Sequence, residues 1–369
     1  MTRPADLTLV MLWMAALVVG VVMVASASYP MASSFGTPSY FVVRHGVYTA
    51  AGIAEFGFFA LLPLKLWRHA HRPFLILALL LCLLVLIPGI GQVVNGSRRW
   101  IGLGSISVQA SEVAKFLMVV YLAGYLGRNR DQLADDWIVL FRPLVVVGAV
   151  CVLLLLEPDF GSVVVLAGVT AGMFFIAGAR LRHFLLIVMV AGALLALIFV
   201  LQPYRMDRFV AFMDPWKVAY GTGYQLTQSL IAFGRGDMFG LGLGEGIQKL
   251  FYLPEAHNDF IFAVIAEELG LVGAVAVLGL LITIMLRMFR IGRQALERNR
   301  GFEGYLAYGA GLLIGLQTLI NVGVSTGALP TKGLTLPFVS YGGNSLLVCC
   351  ALAGLTYRVS VELSEEPPR

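Results

Sequence analysis

The feature that most constrains this chain is a series of ten apolar runs, each about long enough to cross a hydrocarbon layer. They fall at about residues 7–27, 41–62, 73–90, 111–126, 139–156, 161–177, 183–201, 259–289, 305–326 and 340–360. A bilayer core needs about 20 helical residues per crossing. Ten such runs in 369 residues, with 59% hydrophobic and only 13% charged side chains, exclude a soluble enzyme, a disordered tail and a disulfide scaffold. A soluble domain would carry about 25% charged residues. The expected fold is an all-α polytopic membrane protein of ten transmembrane helices, forming one domain over residues 1–362. One long loop, at about 202–258, joins the seventh and eighth spans, and the charged tail at 363–369 reads as disordered. The first run is too long and too weakly flanked to be a cleavable signal peptide.

Ten spans put both termini on one side. The segments on that side hold sixteen Lys and Arg residues, against four (Arg44, Arg98, Arg99 and Lys332) in the short loops opposite. By the positive-inside rule both termini are cytoplasmic and the long loop is extracytoplasmic. This asymmetry accounts for a pI near 9.1 without any affinity for nucleic acid. Cys82, Cys151, Cys349 and Cys350 all sit within apolar runs, with no C-x-x-C pair, and read as inert hydrophobes. The G-x-x-x-x-G-K-[ST] pattern is absent and the glycines at 234–246 never complete G-x-G-x-x-G, so the chain alone is not an ATP-driven pump. No two-fold repeat of span lengths supports an inverted-repeat transporter.

Polar groups inside this apolar frame carry the functional information. A charge at the centre of a span costs about 2.5–3.5 kcal/mol even on the translocon scale. Lys115 lies within the fourth run with Glu112 three residues before it on the same helical face. The pair reads either as a structural ion pair or as a cation lining a cavity for an anionic headgroup. Asp259 stands where the long loop re-enters apolar sequence. It is either a partly desolvated base or an N-cap for the run that begins at Phe260. Glu267 and Glu268, about two turns deeper, read first as a buried polar network. His257 has no second His or Cys at ligand spacing, so no metal site is indicated.

Two further outer segments add cations to glycines. Arg98 and Arg99 adjoin Trp100 in NGSRRWIGLG, where they could grip a pyrophosphate or snorkel to headgroups. The run at 326–345 holds Lys332, Ser340 and Gly342 among helix breakers, which membrane depth tolerates only where backbone is buried in protein or lines a cavity. Together these residues suggest an outward-opening cavity for an anionic, lipid-linked substrate. They do not separate transport from chemistry.

Five strings occur in a fixed order: NGSRRWI at 95–101, EPDFGS at 157–162, GTGYQLTQSLIAFGRG at 221–236, QKLFYLPEAHNDFIFAVIAEELGLVG at 248–273 and LPTKGLTLPFVSYGGNS at 329–345. On these the chain resembles the SEDS family of cell-wall proteins from about residue 7 to 360, its cell-division branch more than its elongation branch. The resemblance implies a peptidoglycan glycosyltransferase that polymerises lipid II at the outer face of the bacterial inner membrane, at the septum. It also implies a class B penicillin-binding protein as partner, among other division proteins. The family's essential carboxylate is the Asp of H-x-D-F, here Asp259; Asn258 departs from the more usual Thr. The expected substrate-binding set is Arg98, Arg99, Lys115, Glu112, His257, Lys332, Ser340 and Gly342. No cofactor is required, although Mg or Mn is compatible with a pyrophosphate leaving group. The competing readings are a lipid II flippase, which would need an inward-facing cavity, and a non-enzymatic scaffold that activates the transpeptidase.

Overall fold

In hydrocarbon the backbone must satisfy its own hydrogen bonds, and a helix does so within one segment. The structure, a computed structural model, describes residues 5–34, 36–94, 97–103, 106–130, 132–133, 136–200, 203–330 and 333–365. Each of the ten apolar runs is a helix: α1 (Leu7–Ser34), α2 (Tyr40–Leu61), α3 (Leu64–Leu86), α4 (Ala110–Arg128), α5 (Trp137–Leu156), α6 (Phe160–Ile176), α7 (Leu181–Val200), α10 (Ile261–Glu297), α11 (Gly301–Ser325) and α12 (Gly343–Glu365). Two further helices, α8 (Pro203–Met213) and α9 (Tyr224–Gly236), lie within the long loop. Among the described residues, seven helices (α1, α3, α4, α5, α10, α11 and α12) are long and apolar enough to cross a membrane. The chain is therefore a multi-pass helical membrane protein.

Burial sorts inner helices from outer ones. Of the most apolar window of α4, 83% lies inside the protein, against 22% for α3. Around α4, α11 and α12 pack α10, α3 and α2, while α7 rests mainly on α6 and α8. Helices in lipid associate through close packing rather than hydrophobic exclusion, which favours small residues at crossings. At Gly309 of α11, an added Cβ would lie 2.8 Å from Val119 and 3.0 Å from the Met173 sulfur.

The expectation of an all-α chain fails between α3 and α4. There β1 (Gly91–Val94), β2 (Ser97–Leu103) and β3 (Ile106–Gln109) form an antiparallel sheet in that order, with a bulge between Gln92 and Val93. The sequence signal was present: Asn95-Gly96 and Gly104-Ser105 are tight-hairpin pairs set between short β-prone runs. Those four residues lie outside the described ones.

The eighth span also differs from a single straight helix. Gly270 has φ 69° and ψ −171°, which interrupts α10. The backbone groups freed there are taken up by the chain after α9. Leu241 N–H donates to Glu267 O (3.0 Å), Gly242 N–H to Glu268 O (3.0 Å) and Leu271 N–H to Asp237 O (2.9 Å). Only glycine fits, because a Cβ at residue 270 would come within 2.3 Å of the Gly240 nitrogen. The buried side chains of Glu267 and Glu268 complete the joint. Glu267 accepts from Arg235 Nε (3.1 Å) and the Ile247 N–H (3.0 Å). Glu268 accepts from Ser26 Oγ (2.7 Å), Lys249 Nζ (2.6 Å) and the Gly244 N–H (3.1 Å). These two carboxylates pin the long loop onto α1 and α10.

Breaking one member of a buried ion pair costs about 3–5 kcal/mol, whereas replacing both by apolar groups is often near neutral. We expect Lys249→Met to lower the thermal midpoint of the detergent-purified protein, and Lys249→Met with Glu268→Leu to recover much of the loss. A double variant that loses the sum of the Lys249→Met and Glu268→Leu losses would show that the pair is uncoupled.

Candidate active site

Where the sheet meets the first turns of α4, α6 and α12 there is a cavity of about 800 Å³. All five sequence strings reach its wall, through Arg99, Asp159, Gln225, Asp259 and Gly342 among others.

Asp259 is held by its backbone, leaving the carboxylate to the cavity. Asn321 Nδ2, from α11, donates to Asp259 O (2.9 Å) and Leu334 O (2.6 Å). Ser340 Oγ donates to Asn258 O (2.7 Å) and accepts from the Leu336 N–H (2.8 Å), and the Tyr341 N–H donates to His257 O (2.9 Å). Residues 257–259 are thus strapped to residues 334–341. A Cβ at Gly333 would lie 2.6 Å from Asp259 Oδ2, so glycine leaves room for the carboxylate. The capping alternative falls away, since the N-cap of α10 is Phe260 and has no side-chain cap bond. Burial pushes Asp259 up to about 7, with the Glu255 charge adding to the effect and Arg208 and Arg99 opposing it. A carboxylate poised near neutrality is matched to proton abstraction.

Arg99 is oriented by the end of α5, with Nε donating to Glu157 O (3.2 Å) and Nη2 to Pro158 O (2.5 Å). Beside it Asp159 caps α6, accepting from the Ser162 N–H (3.1 Å) and Oγ (2.8 Å). Burial alone would raise Asp159, but Arg99, Ser111 and Ser162 outweigh it and hold the carboxyl below its usual range. Glu157 is fully buried; burial and the Asp159 charge push it up to about 8 against the Cys82 thiol and Arg99, so it is mostly neutral at pH 7.

The other residues expected at the site divide sharply. Arg98 is not on the cavity wall: successive strand residues face opposite ways, and its Nη1 donates to Leu86 O (3.2 Å). Arg98 and Arg99 therefore do not grip one pyrophosphate together. Glu112 faces the cavity, but Lys115 is fully buried behind it at 2.7 Å, as a structural ion pair would be. His257 packs off the wall between Phe41 (4.9 Å) and Tyr341 (5.4 Å), and burial lowers its basicity. Ser340 is a buried strap, whereas Gly342 lines the wall beside Thr335. Lys332 lies outside the described residues.

Three residues in the arrangement were not singled out from sequence. Arg208, on α8, and Arg44, on α2, both line the cavity, and Arg44 Nη1 donates to Tyr40 Oη (2.8 Å). Arg44 had been counted only toward sidedness, and the long loop gave Arg208 no frame. Asn321 had a signal, an amide deep in an apolar run, which is costly unless it serves a partner.

These features define a class, the multi-pass membrane protein with a polar cavity built around one carboxylate at one end of the helix bundle. Residues 6–365 match the FtsW/RodA/SpoVE family, described as cell cycle protein, and the chain belongs to that family. It is 48% identical to the probable peptidoglycan glycosyltransferase FtsW of Coxiella burnetii, over 97% of this chain and 96% of that one. Against the protein of the same description from Halomonas elongata it is 50% identical, over 94% and 88%. Among solved structures it is similar to a chain of a peptidoglycan synthase complex studied for coordination of polymerization and crosslinking (TM-score 0.80, 29% identity, 98% of this chain and 99% of that one). It is also similar to the Thermus thermophilus rod shape determining protein RodA (TM-score 0.73, 28% identity, 98% of each chain). The family resemblance read from the five strings is borne out.

Removing the Asn321 amide leaves two carbonyls without their shared donor, at about 1–3 kcal/mol. We expect Asn321→Leu to destabilise the protein by that order in thermal unfolding; an unchanged midpoint would mean water replaces the amide at no cost.

Proposed function

We propose that this protein is a peptidoglycan glycosyltransferase that polymerises lipid II into glycan strands at the division septum, with Asp259 as its general base. The observation that carries the reading is the Asp259 carboxyl, raised to about 7 on the wall of a cavity that Arg99 and Arg208 share. The relatives' description as peptidoglycan glycosyltransferases supports the reaction class. In this reading the chain crosses the bacterial inner membrane ten times, with both termini in the cytoplasm and the cavity outside. A class B penicillin-binding protein crosslinks the product, a pairing supported by the similar chain from a synthase complex.

Asp259 takes the proton from the 4-hydroxyl of the acceptor N-acetylglucosamine. The oxygen attacks the anomeric carbon of the growing strand from the face opposite the lipid. The carbon–oxygen bond to the pyrophosphate breaks, its electron pair leaves on undecaprenyl pyrophosphate, and the configuration inverts. Arg99 and Arg208 meet the charge that develops on the leaving group. The carbonyls of Glu157 and Pro158 already fix the Arg99 guanidinium, so little reorganisation is needed. Glu157, mostly neutral, adds little negative charge there. Among the described residues no three His, Cys, Asp or Glu side chains converge to hold a metal.

General-base help is worth about 10²–10⁴-fold. In lipid II polymerisation by detergent-purified protein, with and without the cognate transpeptidase, we expect Asp259→Ala to lose at least that factor while remaining folded. Strand synthesis undiminished in the variant would overturn the base assignment. Polymer only with partner and indifferent to Asp259 would favour the scaffold; leaflet transfer in sealed vesicles without polymer would favour the flippase.

The working form of the base is deprotonated, so activity should rise with pH through about 7 and be lost as pH falls below it. Glu255→Gln removes a charge that raises the base, and the rising limb should move to lower pH. Arg208→Gln should move it upward. A limb that stays in place in both variants would separate the profile from Asp259.

A further inference from the structure

At the end of the bundle opposite Asp259 lies a second cavity, of about 670 Å³. The separation is roughly the length of α4, whose 19 residues span about 28 Å, with Glu112 opening on one cavity and Arg128 on the other.

Its charged walls come from four helix ends. Lys65 and Arg68 lie in the first turns of α3, Arg128 closes α4, Arg300 and Glu303 flank the start of α11, and Glu362 stands on α12. Glu362 is already engaged, accepting from the Leu64 N–H (2.9 Å), Arg300 Nη1 (3.3 Å) and Arg358 Nε (3.1 Å). Lys65, Arg68 and Arg128 are exposed, and among the described residues their side chains have no hydrogen-bond or ion-pair partner. Glu303 is only 7% exposed and also lacks a partner there. No side chain can grow into the seam behind them, since a Cβ at Gly127 would lie 2.7 Å from the Phe302 nitrogen. The start of α11, which has no side-chain cap, adds the positive end of its dipole.

Three uncommitted cations around one cavity repel each other, and a doubly oxygenated anion between them relieves that repulsion while taking paired hydrogen bonds from the guanidinium groups. Leu61 and Leu66, 79% and 56% exposed, lie beside Lys65 and offer apolar surface to acyl chains. Basic pockets between membrane helices at such a depth suit lipid headgroups. We propose that this cavity binds a phosphate group through Lys65, Arg68 and Arg128, and that its source is the headgroup of an anionic phospholipid in the adjoining leaflet. Glu303 sets the affinity by opposing that charge.

The test uses the full chain in detergent, with dioleoylphosphatidylglycerol, dioleoylphosphatidylcholine and inorganic phosphate as probes, read by native mass spectrometry and thermal shift. The variant Arg68→Ala with Arg128→Ala should retain phosphatidylglycerol at least tenfold less. Arg290→Ala, which removes a cation that does not line the cavity, should match the wild type. Glu303→Gln should retain more lipid, a gain that misfolding does not produce. Equal retention by the double variant, or an equal loss in Arg290→Ala, overturns the site. Stabilisation by inorganic phosphate that depends on Arg68 and Arg128, without preference for phosphatidylglycerol, overturns the lipid as its source.

Discussion

A backbone polar group left unpaired in hydrocarbon costs several kcal/mol, and the half of this protein that holds the Asp259 cavity is arranged around that constraint. The chain departs from helix at Gly270 and again between α11 and α12, and each departure is met from a neighbouring segment. Residues 237–242 pair with the backbone on both sides of Gly270. Asn321 and Ser340 do the same for the segments that carry Asp259. Irregular backbone at the cavity is therefore a consequence of rigid support, and Asp259 inherits its position from it.

Five carboxyl groups lie on or near this cavity, Glu255 among them, and the other four are held in different ways. Glu112 is paired to a fully buried lysine. Asp159 is kept charged by Arg99 and the α6 cap, and Glu157 is kept mostly neutral by burial and the Asp159 charge. Asp259 alone is both open to the cavity and balanced near neutrality by a carboxylate on one side and two arginines on the other. Environments that push equivalent groups apart are how one site separates structural from reactive carboxyls.

Much of this was legible in the residues. Ten apolar runs are ten helices, because hydrophobic length is a local property that the bilayer reads directly. Asp259 could be singled out because a lone carboxylate at the edge of an apolar run is expensive anywhere, and the strings around it were specific enough to identify the family. Glu267 and Glu268 were legible in kind, as buried polar groups, but not in partner. The sheet was missed because its strands are short, and Asn95-Gly96 was read as a loop rather than as a hairpin signal.

Sequence alone determined that the chain is a multi-pass helical membrane protein, its family, and which carboxylate to watch, since each rests on local hydrophobicity or on contiguous strings. Tertiary structure decided which cations share the cavity with that carboxylate. Arg98 and Arg99 are neighbours in sequence, yet the two-residue period of β2 separates them. Arg44, Arg99 and Arg208 are far apart in sequence, yet they meet around one space. Side-chain direction and long-range packing make those choices, and neither is written in any local stretch of residues.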